Sequence, residues 1–130
     1  MTNIDQSLKY TKDHEWVRVE GNKATTGITD FAQRQLGDIV FVDLPSGDQD
    51  IPVGEAFGTI ESVKAVSEVY MPVGGKITKR NEALDGEPEL VNTDPYGDGW
   101  LIEITMPDKK ALEGLLTAAQ YEEYLQEEAA

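Results

Sequence analysis

The 130-residue sequence contains no cysteine and a single histidine, His14. Without thiols there can be no disulfide, and ligands for a zinc or iron–sulfur centre are almost absent. Any thiol chemistry must therefore come from an added group. Basic residues are scarce as well, with 11 Lys and Arg against 25 Asp and Glu and a formal net charge of −14. Phosphate backbones repel such a surface, which makes nucleic acid a poor partner. An acidic surface suits solubility, or steering toward basic patches on partner proteins. No apolar run approaches the ~20 residues that span a bilayer. Met1 to Tyr10 has neither an apolar core nor an arginine, unlike a secretory signal or a transit peptide. A cytoplasmic protein is expected; a mature mitochondrial protein lacking its leader would look similar. Nothing suggests an oligomer, so a monomer is expected.

What is present is the composition of a globular protein, 39% hydrophobic and 28% charged. The length predicts one domain over residues 1–130, with a β core over about 8–106 and C-terminal helices over about 108–128. Trp16 to Glu20 and Lys23 to Gly27 are strand-like runs around Gly21-Asn22, a two-residue hairpin signal. Thr29 to Leu36 predicts one or two helical turns, with Thr29 as N-cap and Gly37 as the stop. Ile39 to Leu44 is β-branched and aromatic and ends at Pro45, a strand buried on at least one face. From Ile51 to Ile77, glycines and prolines punctuate short runs such as Phe57 to Ile60 and Val66 to Tyr70, the pattern of a small sandwich or barrel. Gly97 to Thr105 predicts a late strand with Trp100, Ile102 and Ile104 on one face. After Pro107 the period becomes helical. Lys109 to Leu116 forms one segment, and Thr117 to Gln120 has capping-box spacing for a fresh helix with Tyr121, Tyr124 and Leu125 on one face.

The usual catalytic constellations are missing. With one histidine and no Gly-x-Ser-x-Gly elbow, a serine triad has no support. Gly75-Lys76 fails as a phosphate loop, because Tyr70 and Ile77 stand where that motif needs Gly and Ser or Thr. A non-catalytic protein is expected, with no catalytic residue and no metal. The residue that stands out is Lys64, on a short connection between Phe57–Ile60 and Val66–Tyr70. A hairpin tip holds a side chain clear of the body, and Val63 and Ala65 are small and neutral. A nucleophilic lysine needs burial or cationic neighbours to lower its pKa. With Glu61 nearby, Lys64 suits covalent modification better than catalysis. The hairpin alone is equally compatible with an ordinary surface lysine in a turn.

The segment Glu61-Ser62-Val63-Lys64-Ala65 resembles the lipoyl-attachment motif of glycine cleavage H proteins. Further blocks resemble that family in order: His14-Glu15-Trp16, Gly27 to Gln33, Leu36 to Pro45, then Pro72, Gly75 and Asn81. Pro88 to Asn92, Asp94 to Gly97 and Gly99-Trp100 complete the series. The resemblance covers about Leu8 to Tyr124. It implies a mostly β barrel-sandwich hybrid, two small antiparallel sheets with the modified lysine on a hairpin and helices at the C-terminus.

It also implies lipoate as an amide on Lys64, a swinging arm whose advantage is effective concentration. In the family's cycle of glycine catabolism, the pyridoxal-phosphate glycine decarboxylase (P protein) transfers aminomethyl to the arm. The tetrahydrofolate-dependent aminomethyltransferase (T protein) takes the one-carbon unit, and dihydrolipoyl dehydrogenase (L protein) reoxidises the dithiol. A lipoate ligase or a lipoyl/octanoyl transferase loads the lysine. In family members the loaded arm folds into a surface cleft, and the resemblance makes Glu15 the candidate there for holding the amine. Rival readings are a biotin carrier domain, whose lysine is typically flanked by methionines, and a lipoyl domain of a 2-oxoacid dehydrogenase, usually with Asp before the lysine. An H-like lipoate donor or scaffold would carry the same lysine.

Overall fold

The structure, a computed structural model, describes residues 4–45 and 47–129. Residues 1–3, 46 and 130, part of the expected domain, lie outside the described residues. Strands β2 (Glu15–Glu20) and β3 (Lys23–Ile28) pair antiparallel from Glu20↔Lys23 outward, so Gly21-Asn22 is the predicted two-residue turn. Helix α1 (Asp30–Leu36) starts where expected, with the Thr29 hydroxyl accepting from the Ala32 amide.

The remaining strands are β1 (Lys9–Tyr10), β4 (Ile39–Asp43), β5 (Asp50–Ile51), β6 (Ala56–Ser62), β7 (Val66–Tyr70), β8 (Gly75–Arg80) and β9 (Ile102–Thr105). They form two antiparallel sheets, ordered β1-β2-β3-β9-β8-β5 and β4-β6-β7. The architecture is mostly β with helix at the C-terminus, as the resemblance implied, with no closed barrel among the described strands. One sheet is larger than expected, because the edge pairs β1 and β5 have only two residues each and carry no sequence period.

The main core draws on both sheets, with Val17 and Ile104 from the larger and Val42, Ile60 and Val69 from the smaller. A second cluster joins Tyr10 and Trp16 to helix α3 (Ala118–Ala129), where Tyr10 and Tyr121 stack at 4.5 Å between ring centres. The capping box is reciprocal: Gln120 N–H donates to Thr117 Oγ1 at 3.2 Å, and Thr117 N–H to Gln120 Oε1 at 2.9 Å.

Three expectations are corrected. Residues 97–101 are not strand, because the Asp94 carbonyl accepts the amides of Gly97 and Gly99 and bends the chain. Trp100 therefore packs against the Tyr10–Trp16 cluster while Ile102 and Ile104 enter the main core. Lys109–Gly114 is a 3₁₀ segment, capped by Asp108, not an α-helix. A short helix α2 (Leu90–Thr93) and a 3₁₀ turn at Glu82–Asp85 were not anticipated.

Candidate functional site

Ser62 builds the tip between β6 and β7. Its amide donates to the Ala65 carbonyl at 2.8 Å, and its hydroxyl accepts from the amides of Ala65 at 3.0 Å and Lys64 at 3.3 Å. A turn closed by its own side chain has little need of tertiary support. It has some nonetheless, since Val63 N–H donates to the Asp38 carbonyl at 3.0 Å. Lys64 is exposed and forms no ion pair among the described residues.

The lysine stem lies against Gly37, the C-cap of α1. A Cβ at residue 37 would stand 3.0 Å from Lys64 Cε, and the backbone there has φ of +80°. Glycine suits both requirements, ending the helix at a positive φ that side chains disfavour and leaving the stem its path.

Beside this path lies a cleft of about 170 Å³ between α1, β6, β7 and the turn before β2. Phe31 and Leu36 of α1, with Ile60 and Val69, give it apolar walls, while Asp13 and Glu68 contribute carboxylates. Glu15 stands behind that lining. Only 3% exposed, it accepts from Tyr70 N–H at 2.6 Å and from the Thr11 hydroxyl at 3.3 Å, linking β2 to the end of β7. Burial pushes its carboxyl up to about 8, against the lowering effect of the Tyr70 hydrogen bond.

Residues 8–128 match the Glycine cleavage H-protein family. The chain belongs to that family. Its place is in the glycine cleavage system, as the H component. A glycine cleavage system H protein from Herpetosiphon aurantiacus is 55% identical over 129 residues, 99% of this chain and 98% of that one. One from Bacteroides thetaiotaomicron is 56% identical over 119 residues, 92% and 94% of the two chains. The crystal structure of a glycine cleavage system H protein from Mycobacterium marinum superposes with a TM-score of 0.85 at 37% identity, covering 98% of this chain and all of that one.

In this H protein the two family blocks around residues 37 and 92 turn out to be one device. Asn92 Nδ2 donates to the Gly37 carbonyl and to Gln33 Oε1, both at 2.9 Å, and Asn92 Oδ1 accepts from Ile39 N–H at 2.8 Å. One amide side chain thus fixes the connection whose Asp38 carbonyl holds the tip. Asn92→Ala would strand the Ile39 amide and the Gly37 carbonyl, a cost of about 1–3 kcal/mol that urea unfolding should read.

His14 is half-buried with φ of +65°. Burial lowers its pKa, so it is neutral at pH 7. Its Nε2–H then donates to Glu128 at 3.1 Å and its Nδ1 accepts from Tyr121 OH at 2.9 Å, pinning α3 beside the cleft. Trp16 is fully enclosed, with its indole N–H donating to the Pro95 carbonyl at 2.8 Å. Phe31, which carried no function in the sequence, is a cleft wall. Asp13, Glu68 and Asn92 were missed as site residues. Only Asn92 lies in a motif block quoted above, and nothing local in the sequence reports what its amide reaches.

Proposed function

We propose that this chain is the lipoyl-bearing carrier of the glycine cleavage system, with lipoate joined as an amide to Nζ of Lys64. The observation that carries it is a lysine held on a self-closed tip, exposed and without an ion pair among the described residues. Such an amine is open to an acylating enzyme.

The residues fit the group. The stem path over Gly37 leads beside the cleft, whose apolar walls suit an aliphatic arm. When attached, the dithiolane supplies the reversible sulfur chemistry by which the aminomethyl group of glycine is carried. This chain orients and shelters. Ser62 and the Asp38 carbonyl fix the tip; Phe31, Leu36 and Ile60 exclude water. Asp13 and Glu68 favour the protonated form of an amine in the cleft, tying up the lone pair that would otherwise expel thiolate. Glu15 serves the cleft at one remove, by fixing the Tyr70 amide at the end of the strand that bears Glu68.

The partners of this carrier are the P, T and L proteins, and a lipoate ligase or lipoyl/octanoyl transferase that loads it. Catalysis belongs to them. A net charge of −14, made one unit more negative by the amide, suits approach to basic docking surfaces. The cytoplasm is its setting in this proposal; no helix among the described residues is long and apolar enough to cross a membrane.

Intact mass and peptide mapping test the assignment. After incubation with lipoate ligase, lipoate and ATP, the chain should gain one lipoyl amide, mapped to Lys64. An adduct on another lysine, or a biotinyl mass on protein isolated from cells, would overturn it.

A further inference from the structure

Water faces four large apolar side chains around the tip. Val63 is 67% exposed, Val66 66%, Val40 53% and Phe41 52%. They form one patch. Phe41 pairs with Glu61 and Glu61 with Val66, a continuous row across the smaller sheet, and Val63 adjoins Lys64. A regular strand would turn either Val40 or Phe41 inward. The register shift between Ile39 and Phe41 spares both from burial. Bulges commonly re-aim side chains in this way beside functional sites. Exposed Asp38, Asp43 and Glu68 flank the patch. Clustered apolar exposure with a polar border marks a contact surface more often than chance.

We infer that the Val40–Phe41–Val63–Val66 patch is the docking surface for the acyl-adenylate-forming ligase that loads Lys64. This rests on Lys64 being the acylated residue. The unmodified Nζ reaches only four methylenes beyond its backbone. An enzyme acting on it must bring its catalytic centre down to the tip, which presses Val63 and Val66 into contact. Once the arm is attached, the reacting end lies far from the tip, and the carrying partners have no need of that contact. The matching enzyme surface is an apolar socket with a basic rim. In the step so served, Nζ loses a proton to water and attacks the acyl carbon of the adenylate. The C–N bond forms, the acyl–O bond breaks and AMP leaves.

The test uses purified lipoate ligase with lipoate and ATP. Phe41→Ser and Val66→Ser should each lower kcat/KM for acylation about tenfold, through KM, the loss expected when one buried apolar contact of about 1.4 kcal/mol is removed. Val53→Ser changes an equally exposed valine outside the patch and should match wild type. Lys64→Arg with the patch intact should inhibit acylation of wild type competitively, and adding Val66→Ser should weaken that inhibition about tenfold. Patch variants within twofold of wild type, or a Val53→Ser defect of equal size, would overturn the inference. So would Lys64→Arg inhibiting dihydrolipoyl dehydrogenase on loaded wild type as strongly as it inhibits the ligase, since the patch would then serve carrying partners as well. Failure of wild type to accept lipoate at Lys64 would be separate, striking the attachment assignment itself.

Discussion

Lys64→Arg should fold like the wild type and carry nothing. The side chain is exposed and makes no ion pair among the described residues, so the change breaks no salt bridge, and the arginine stem can keep the contact with Gly37. Surface substitutions of this kind stay within about 0.5 kcal/mol. Chemistry is another matter. A guanidinium is charged at every accessible pH, and its delocalised nitrogens cannot displace a leaving group from an activated acyl. The variant should gain no mass with ligase, lipoate and ATP, and should not support glycine-dependent CO2 exchange with P protein. Thermal unfolding beside wild type separates loss of loading from loss of fold. Exchange at wild-type rates by the arginine variant would end the carrier assignment.

The second large effect concerns Glu15 and pH. Its carboxyl titrates near 8 in the folded chain and in the ordinary carboxylate range when unfolded. The native state therefore holds a proton that the unfolded state has already released. Stability contributed by the neutral group is complete below the unfolded pKa and drains away as pH rises through the folded one. Between pH 5 and pH 8 the wild type should lose roughly 3 kcal/mol on this account, at 1.36 kcal/mol per unit of pKa difference. Glu15→Gln presents the same shape without a proton to lose, and its amide oxygen can still accept from Tyr70 N–H. Its urea midpoint should be nearly flat over that window. A wild type as flat as the glutamine variant would show that the buried carboxyl does not titrate as its surroundings dictate.

Much of this fold was legible because its signals are local. The Gly21-Asn22 turn, the Thr29 cap and the Thr117–Gln120 box each act within a few residues, and each formed as read. The lysine tip was legible for the same reason, two strand-like runs around a short connection. What escaped depends on distance along the chain. Strands β1 and β5 exist only through their partners and have no period of their own. Trp100 follows the strand pattern on paper, yet amides bonded to the Asp94 carbonyl turn it toward a different cluster. The cleft carboxylates were equally hidden. Among 25 acidic residues, Asp13 and Glu68 look like any others until α1 is laid against β7. Glu15 was singled out by resemblance, while its burial and its bond to Tyr70, 55 residues away, needed the tertiary structure.

The Asn92 clamp has a consequence for when the protein can be loaded during its own synthesis. It joins backbone at residues 37 and 39 to a side chain more than fifty positions later, so it cannot exist on a nascent chain that has not yet emerged past residue 92. Before that point the lysine is already made, but the shelf that steadies its turn is not. An enzyme that recognises the steadied turn would therefore pass over chains in which this clamp has not yet formed.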